Sequence, residues 1–194
     1  MLFLLVGFLY NRFVIEKLIY SYCEEKIIEV FNDSANRAVG LCLNSELKYN
    51  DFIELHKNDN GEIVLVQANN VLINKINREI IAKTSEIMSD KIGGGLPIPA
   101  LAFTGIKSLS GYGPEVYFKA LNVRQLNSCF SSKFESAGIN QSLHSLYFNV
   151  KCEVFIDFPF NKKAVESNVS VLVFESVIVG SVPNYIIGGI NGFK

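Results

Sequence analysis

The chain has no tryptophan, only two histidines, His56 and His144, and only two methionines. Its four cysteines, Cys23, Cys42, Cys129 and Cys152, include no C-x-x-C pair. Structural zinc sites gather their ligands in such close pairs, so no metal centre is expected, and nothing in the spacing demands a disulfide. Charge is scarce as well: 19% of residues are charged, against about 25% in an ordinary domain. With 18 Lys and Arg against 19 Asp and Glu, the net charge is −1. A balance this even gives no bulk attraction to nucleic acid, which is excluded as a partner. Disorder is excluded too, because 49% of the residues are hydrophobic. The 15 Phe and 8 Tyr point to a core containing β-structure, and 194 residues suffice for one domain and a short appendage.

Residues 1–10 are almost wholly apolar. As a helix they would extend about 15 Å, half of a hydrocarbon core of roughly 30 Å, so alone they cannot span a bilayer. They lack the basic start and small-residue cleavage site of a secretory signal. Because the chain begins inside the apolar run, residues 1–11 read as the end of a truncated membrane anchor, with a buried or interfacial helix start as the alternative.

From residue 11 to about 42 apolar positions recur at threes and fours, among them Ile15, Ile19, Ile27, Phe31, Ala35 and Val39. That spacing predicts an amphipathic helix. Asn58-Asp59-Asn60-Gly61 supplies residues tolerant of positive φ, residues 62–67 read as a strand, and Asn69 or Asn70 caps a second helix running to about Ser89. That helix is expected to turn Val71, Leu72, Ile76, Ile80, Ile81, Ile87 and Met88 toward a core. Residues 91–114 form a connector rich in glycine and proline but too apolar for a solvated linker. Beyond it the pattern is strand-like. Val116, Phe118 and Ala120 alternate in one phase and Leu121 and Val123 in the other, which suggests a bulge near Ala120. His144, Leu146, Phe148, Val150, Cys152, Val154 and Ile156 alternate strictly with mostly polar neighbours, a strand with one buried face. Pro159 and Asn161-Lys162-Lys163 read as a turn, and Val165 to Val173 resume the alternation. The expected fold class is α+β: two N-terminal amphipathic helices packed on a mainly antiparallel sheet.

Convincing chemistry is harder to find. Gly93-Gly94-Gly95 and Gly111-Tyr112-Gly113-Pro114 complete no phosphate-binding motif and read as turns. Cys129 and His144 fall on strands expected to face each other, so a thiol nucleophile with an imidazole base is conceivable, with Glu135 the one carboxylate placed to orient the imidazole. His144 lies on the apolar face, however, and a structural histidine is the simpler reading. The segment Phe134-Glu135-Ser136-Ala137-Gly138-Ile139-Asn140-Gln141, followed by His144, joins two alternating strands. Gly138 can take positive φ, and the amides of Asn140 and Gln141 can satisfy backbone groups freed by the reversal. A fixed turn and an exposed recognition loop are both open.

These residues, with Ile98, Pro99, Thr104, Gly105, Gly111, Gly113 and Pro114 before them and Glu175, Val177, Ile178, Val179, Gly180, Val182 and Pro183 after them, resemble the YunB family of sporulation proteins from endospore-forming bacteria. The resemblance covers roughly residues 12–185, leaving 186–194 as a tail. Departures occur at residues 100–103, at Tyr112 in place of a basic residue, and at Ser142-Leu143 in place of a threonine-arginine pair. Members are similar in having an N-terminal transmembrane segment. The resemblance implies a role in spore formation at a membrane around the forespore. With the apolar N-terminus and the lack of a convincing active site, the expected protein is single-pass, membrane-anchored and non-catalytic and contacts other sporulation envelope proteins; self-association is open to it, because small α+β domains with exposed sheet edges can associate side by side. The resemblance supplies no catalytic residue to carry over, and no cofactor or metal is expected. The binding or structural candidates are Phe134 to Gln141, His144, Gly111, Gly113 and Pro114. The rivals are an envelope hydrolase or thiol enzyme using Cys129 and His144, and a peptidoglycan- or lipid-binding module.

Overall fold

The computed structural model describes residues 7, 10, 14–43, 46–119, 121–138, 140–158 and 161–180. In chain order these form α1 (Glu16–Cys42), α2 (Tyr49–Phe52), β1 (Ile53–Lys57), β2 (Ile63–Ala68), α3 (Asn70–Ile92) and β3 (Leu96–Pro99). Two 3-10 turns, Ala100–Thr104 and Lys107–Leu109, lead to β4 (Glu115–Phe118) and then to three long strands, β5 (Leu121–Gly138), β6 (Gln141–Phe158) and β7 (Asn161–Val179).

The long strands form one antiparallel sheet in the order β5-β6-β7, while β1 pairs with β2 and β3 with β4 in two small ladders. At about 3.4 Å per residue, the 18 residues of β6 span roughly 60 Å. Every second residue of β6 from His144 to Ile156 is buried beneath the helices, as the alternation requires. The other face stays open and carries a polar row, in which Asn149 donates to Ser131 Oγ at 2.7 Å and accepts from Ser170.

Helix α1 buries Ile19, Cys23, Ile27, Phe31, Ser34, Ala35, Ala38 and Val39; Cys23 and Ser34 join the stripe its spacing predicts, while Ile15, Leu18 and Tyr22 are only half-buried. Helix α3 opens as expected, with Asn69 Oδ1 accepting from the Leu72 N–H at 3.2 Å. Its buried row is Ile73, Ile76, Ile80, Thr84, Met88 and Ile92. Val71, expected to face the core, is 83% exposed, because it lies in the first turn, before the helix reaches the sheet. Both helices pack on each other and on the long strands.

Several expectations are corrected. Among the described residues no helix is long and apolar enough to cross a membrane, so the N-terminal anchor is withdrawn from the fold class. Most of residues 1–11 lie outside the described residues, as does the tail at 186–194. Residues 16–179 form an α+β fold in which the helices Glu16–Cys42, Tyr49–Phe52 and Asn70–Ile92 accompany a three-stranded main sheet. The segment 116–123 is not one bulged strand: β4 ends at Phe118 to pair with β3, and β5 begins at Leu121. Ala120 lies outside the described residues, and the register shift falls between Val123 and Gln125. Asn161, Lys162 and Lys163 are not a turn either, because Asn161 already pairs with Phe158. The chain also has two elements the spacing did not reveal, α2 and β1.

Candidate functional site

Phe134, Glu135, Ser136, Gly138, Gln141 and His144 come together at one end of the main sheet. Register places Phe134 opposite His144, and Glu135, Ser136 and Gly138 opposite Leu143, Ser142 and Gln141. Gly138 and Gln141 close the hairpin across a two-residue loop. Gly138 has φ 142° and Asn140 φ 58°, so the reversal uses two residues in the region that favours Gly and Asn. Ile139 lies outside the described residues. The Asn140 carbonyl accepts from the Gly180 N–H at 2.7 Å, which ties the loop to the end of β7. Between them lies a shallow hollow of about 440 Å³ lined by Ser136, Asn140, Gln141 and Ile178.

Beneath this tip sits His144, 1% exposed. Its ring stacks on Phe134, with centroids 3.9 Å apart and planes within 6°, and meets Tyr49 edge-on at 5.7 Å. Tyr49 Oη lies 2.6 Å from Nδ1, while Nε2 is buried with no partner among the described residues. Burial therefore lowers the imidazole pKa below its ordinary value and raises that of the Tyr49 phenol. Tyr49 reaches this place because α2 is anchored by Phe52, which is fully buried against Phe130, Phe148 and Phe174. The Asp51 carboxylate, accepting from the Lys48 N–H at 2.6 Å, caps that short turn. Neither Tyr49 nor Phe52 was singled out by the sequence. The one available signal was that Ile53 and Leu55 alternate with polar residues just before the Asn58–Gly61 turn.

The structure separates the residues of the thiol-enzyme reading. Cys129 pairs with Asn149 and His144 with Phe134, five register positions apart, which is roughly 17 Å along the strand. An odd offset also puts them on opposite faces: Cys129 is exposed on the open face and His144 is buried under Tyr49. Glu135 pairs with Leu143 and shares the open face, where it cannot orient the imidazole. No base and nucleophile meet here, and that alternative is withdrawn. Among the described residues no three His, Cys, Asp or Glu side chains are grouped to hold a metal. All four cysteines are free, and burial pushes the Cys23 thiol up to about 12 and the Cys152 thiol to about 11.

The other motif residues stand apart from the tip. Gly113, with φ 104°, lies against Leu101, whose N and Cγ would be 3.3 Å from an added Cβ, so a side chain there would be strained and crowded. The Pro114 carbonyl accepts from the Ala100 N–H at 2.8 Å, fixing the connector onto β3. Nothing in the structure requires glycine at Gly111. These three residues shape the apolar connector and do not join the site around His144.

The class defined here is an α+β domain in which the hairpin that joins β5 and β6 closes one end of a long antiparallel sheet above a buried histidine. Residues 95–185 match the family described as Sporulation protein YunB. The resemblance anticipated over residues 12–185 is thus found from the start of β3 to just beyond β7. No curated protein and no solved structure matches the chain.

Proposed function

We propose that the chain is a sporulation protein of the YunB family that works through protein contacts and performs no chemistry of its own. The match over residues 95–185, which takes in every strand of the main sheet, carries this reading. The geometry at the sheet tip supports it, since the motif residues there are spent on a two-residue reversal, an aromatic stack and a strand tie. Its interactions are with other sporulation proteins. A membrane partner and a location in the membrane around the forespore, both expected from the resemblance, fall with the anchor, because no helix among the described residues can cross a bilayer.

Deletion of the gene in its endospore-forming host tests this reading. Fewer heat-resistant spores are expected, with growth unchanged and the count restored by the wild-type gene. A normal spore count without the gene overturns it.

A further inference from the structure

The two edges of the main sheet are not alike. On β7, Tyr20 of α1 donates from its hydroxyl to the Ala164 carbonyl at 3.2 Å, and Ser167 lies 3.5 Å from Asn32 of the same helix, so α1 covers the start of that edge. On β5, residues 132–138 are all exposed, and no described strand pairs with their outer side. Phe134 is 52% exposed in the middle of this stretch. An uncovered edge with an exposed aromatic is a template for another strand, and natural sheets usually blunt such edges with charge. Here the charges are of both signs: Lys133 and Glu135 flank Phe134, both on the open face and 2.6 Å apart.

We infer that this edge pairs with the same edge of a second copy, antiparallel and centred on Phe134. Directly opposed residues of an antiparallel pair point to the same face, so a two-fold axis must pass through a residue position. An axis at Lys133 sets Lys133 against its own copy, and one at Glu135 does the same with two carboxylates. Like charges directly opposite are unfavourable. An axis at Ser132 leaves Glu135 facing Cys129, without a cation. The axis at Phe134 alone places Lys133 opposite Glu135 of the second copy twice, with the two Phe134 rings opposite each other between these pairs. The far end of β7 offers no such solution, since Glu175 is the one charge on residues 174–179. The second copy is therefore the occupant that the charge pattern fits. The paired stretch is short, so the dimer is weak and concentration-dependent. This inference does not depend on the sporulation assignment.

Sedimentation equilibrium of the full chain over a wide concentration range tests it. A monomer–dimer equilibrium is expected. Lys133→Glu alone and Glu135→Lys alone should each remain monomeric, the first opposing four carboxylates across the axis and the second four ammonium groups. An equimolar mixture of the two variants should form the heterodimer, because every opposed pair is then complementary. Both side chains are exposed, and unchanged circular dichroism and melting confirm that each variant is folded. A wild-type chain that stays monomeric throughout, single variants that dimerise like wild type, a mixture that does not associate, or masses growing beyond the dimer would each overturn the proposal.

Discussion

Replacing Phe52 by alanine is expected to be among the most damaging single changes in the molecule. The side chain is fully buried, and its ring lies 5.3 Å from Phe174, 6.3 Å from Phe148 and 6.4 Å from Phe130, so it touches all three strands of the main sheet at once. Truncating a buried Phe to Ala costs about 3–5 kcal/mol through lost transfer energy and the cavity left behind. Aromatic pairs add about 0.5–1.5 kcal/mol beyond burial, which favours the upper part of that range. Against a total stability of about 5–15 kcal/mol, a loss near 4 kcal/mol is a large share. For a chain of this size it lowers Tm by roughly 8–16 °C. Urea unfolding followed by circular dichroism measures the loss directly. Phe52→Leu, which keeps most of the apolar volume, should cost about 1–2 kcal/mol. Val64→Ala, at a position 63% exposed on β2, should stay within about 0.5 kcal/mol of wild type. A Phe52→Ala loss below about 1 kcal/mol, or equal to that of Val64→Ala, would refute the view that α2 is pinned to the sheet by this ring.

Three further outcomes are expected. Burial lowers the pKa of His144 in the folded state, so below about pH 6.5 the unfolded chain takes up a proton that the folded chain excludes; stability should therefore fall as pH drops from about 6.5, and His144→Gln should flatten that part of the urea-midpoint profile, whereas an identical profile would refute the burial argument. Gly138→Val should cost about 1–3 kcal/mol in the same unfolding assay, and the cause would be backbone strain at φ 142°, since the nearest atom to an added Cβ is Gln141 Oε1 at 3.9 Å; an unchanged midpoint would show that the hairpin tolerates another conformation. Native alkylation read by mass spectrometry should modify exposed Cys129 quickly and leave Cys23 and Cys152 untouched until denaturant is added, because their thiols are buried and shifted to about 12 and about 11; rapid native labelling of Cys152 would contradict the packing of β6 under the helices.

How far the sequence revealed this molecule depended on how local each signal was. The buried row of β6 and the stripe of α1 were legible because one repeating period, two or about 3.6, ran long enough to stand out. The Asn69 cap was legible because an N-cap side chain acts within one turn. Helix α2 was not, since four residues carry no period and Lys48 is not a usual capping residue; it exists because Phe52 has a place among three phenylalanines distant in sequence. The break after Phe118 was misread as a bulge for a related reason: a phase change signals discontinuity but cannot say that the strand is leaving one ladder for another. At the site, the reversal at Gly138 could be read from residue types, and φ 142° agrees. The faces of Cys129 and His144 could not, because only the pairing register shows that they lie an odd number of positions apart. Tyr49 stayed hidden because its contact with His144 spans 95 residues.

A protein that serves sporulation through contacts made at the sheet, as proposed, should tolerate loss of its exposed thiol and not disruption of the sheet edge. The most direct test counts heat-resistant spores from strains whose sole copy carries either Cys129→Ser or Phe134→Asp, with the amount of chain in the cell measured alongside. Wild-type spore numbers are expected for Cys129→Ser and a marked loss for Phe134→Asp at equal chain levels. Loss of sporulation in Cys129→Ser with the chain present, or full sporulation in Phe134→Asp, would contradict the proposal.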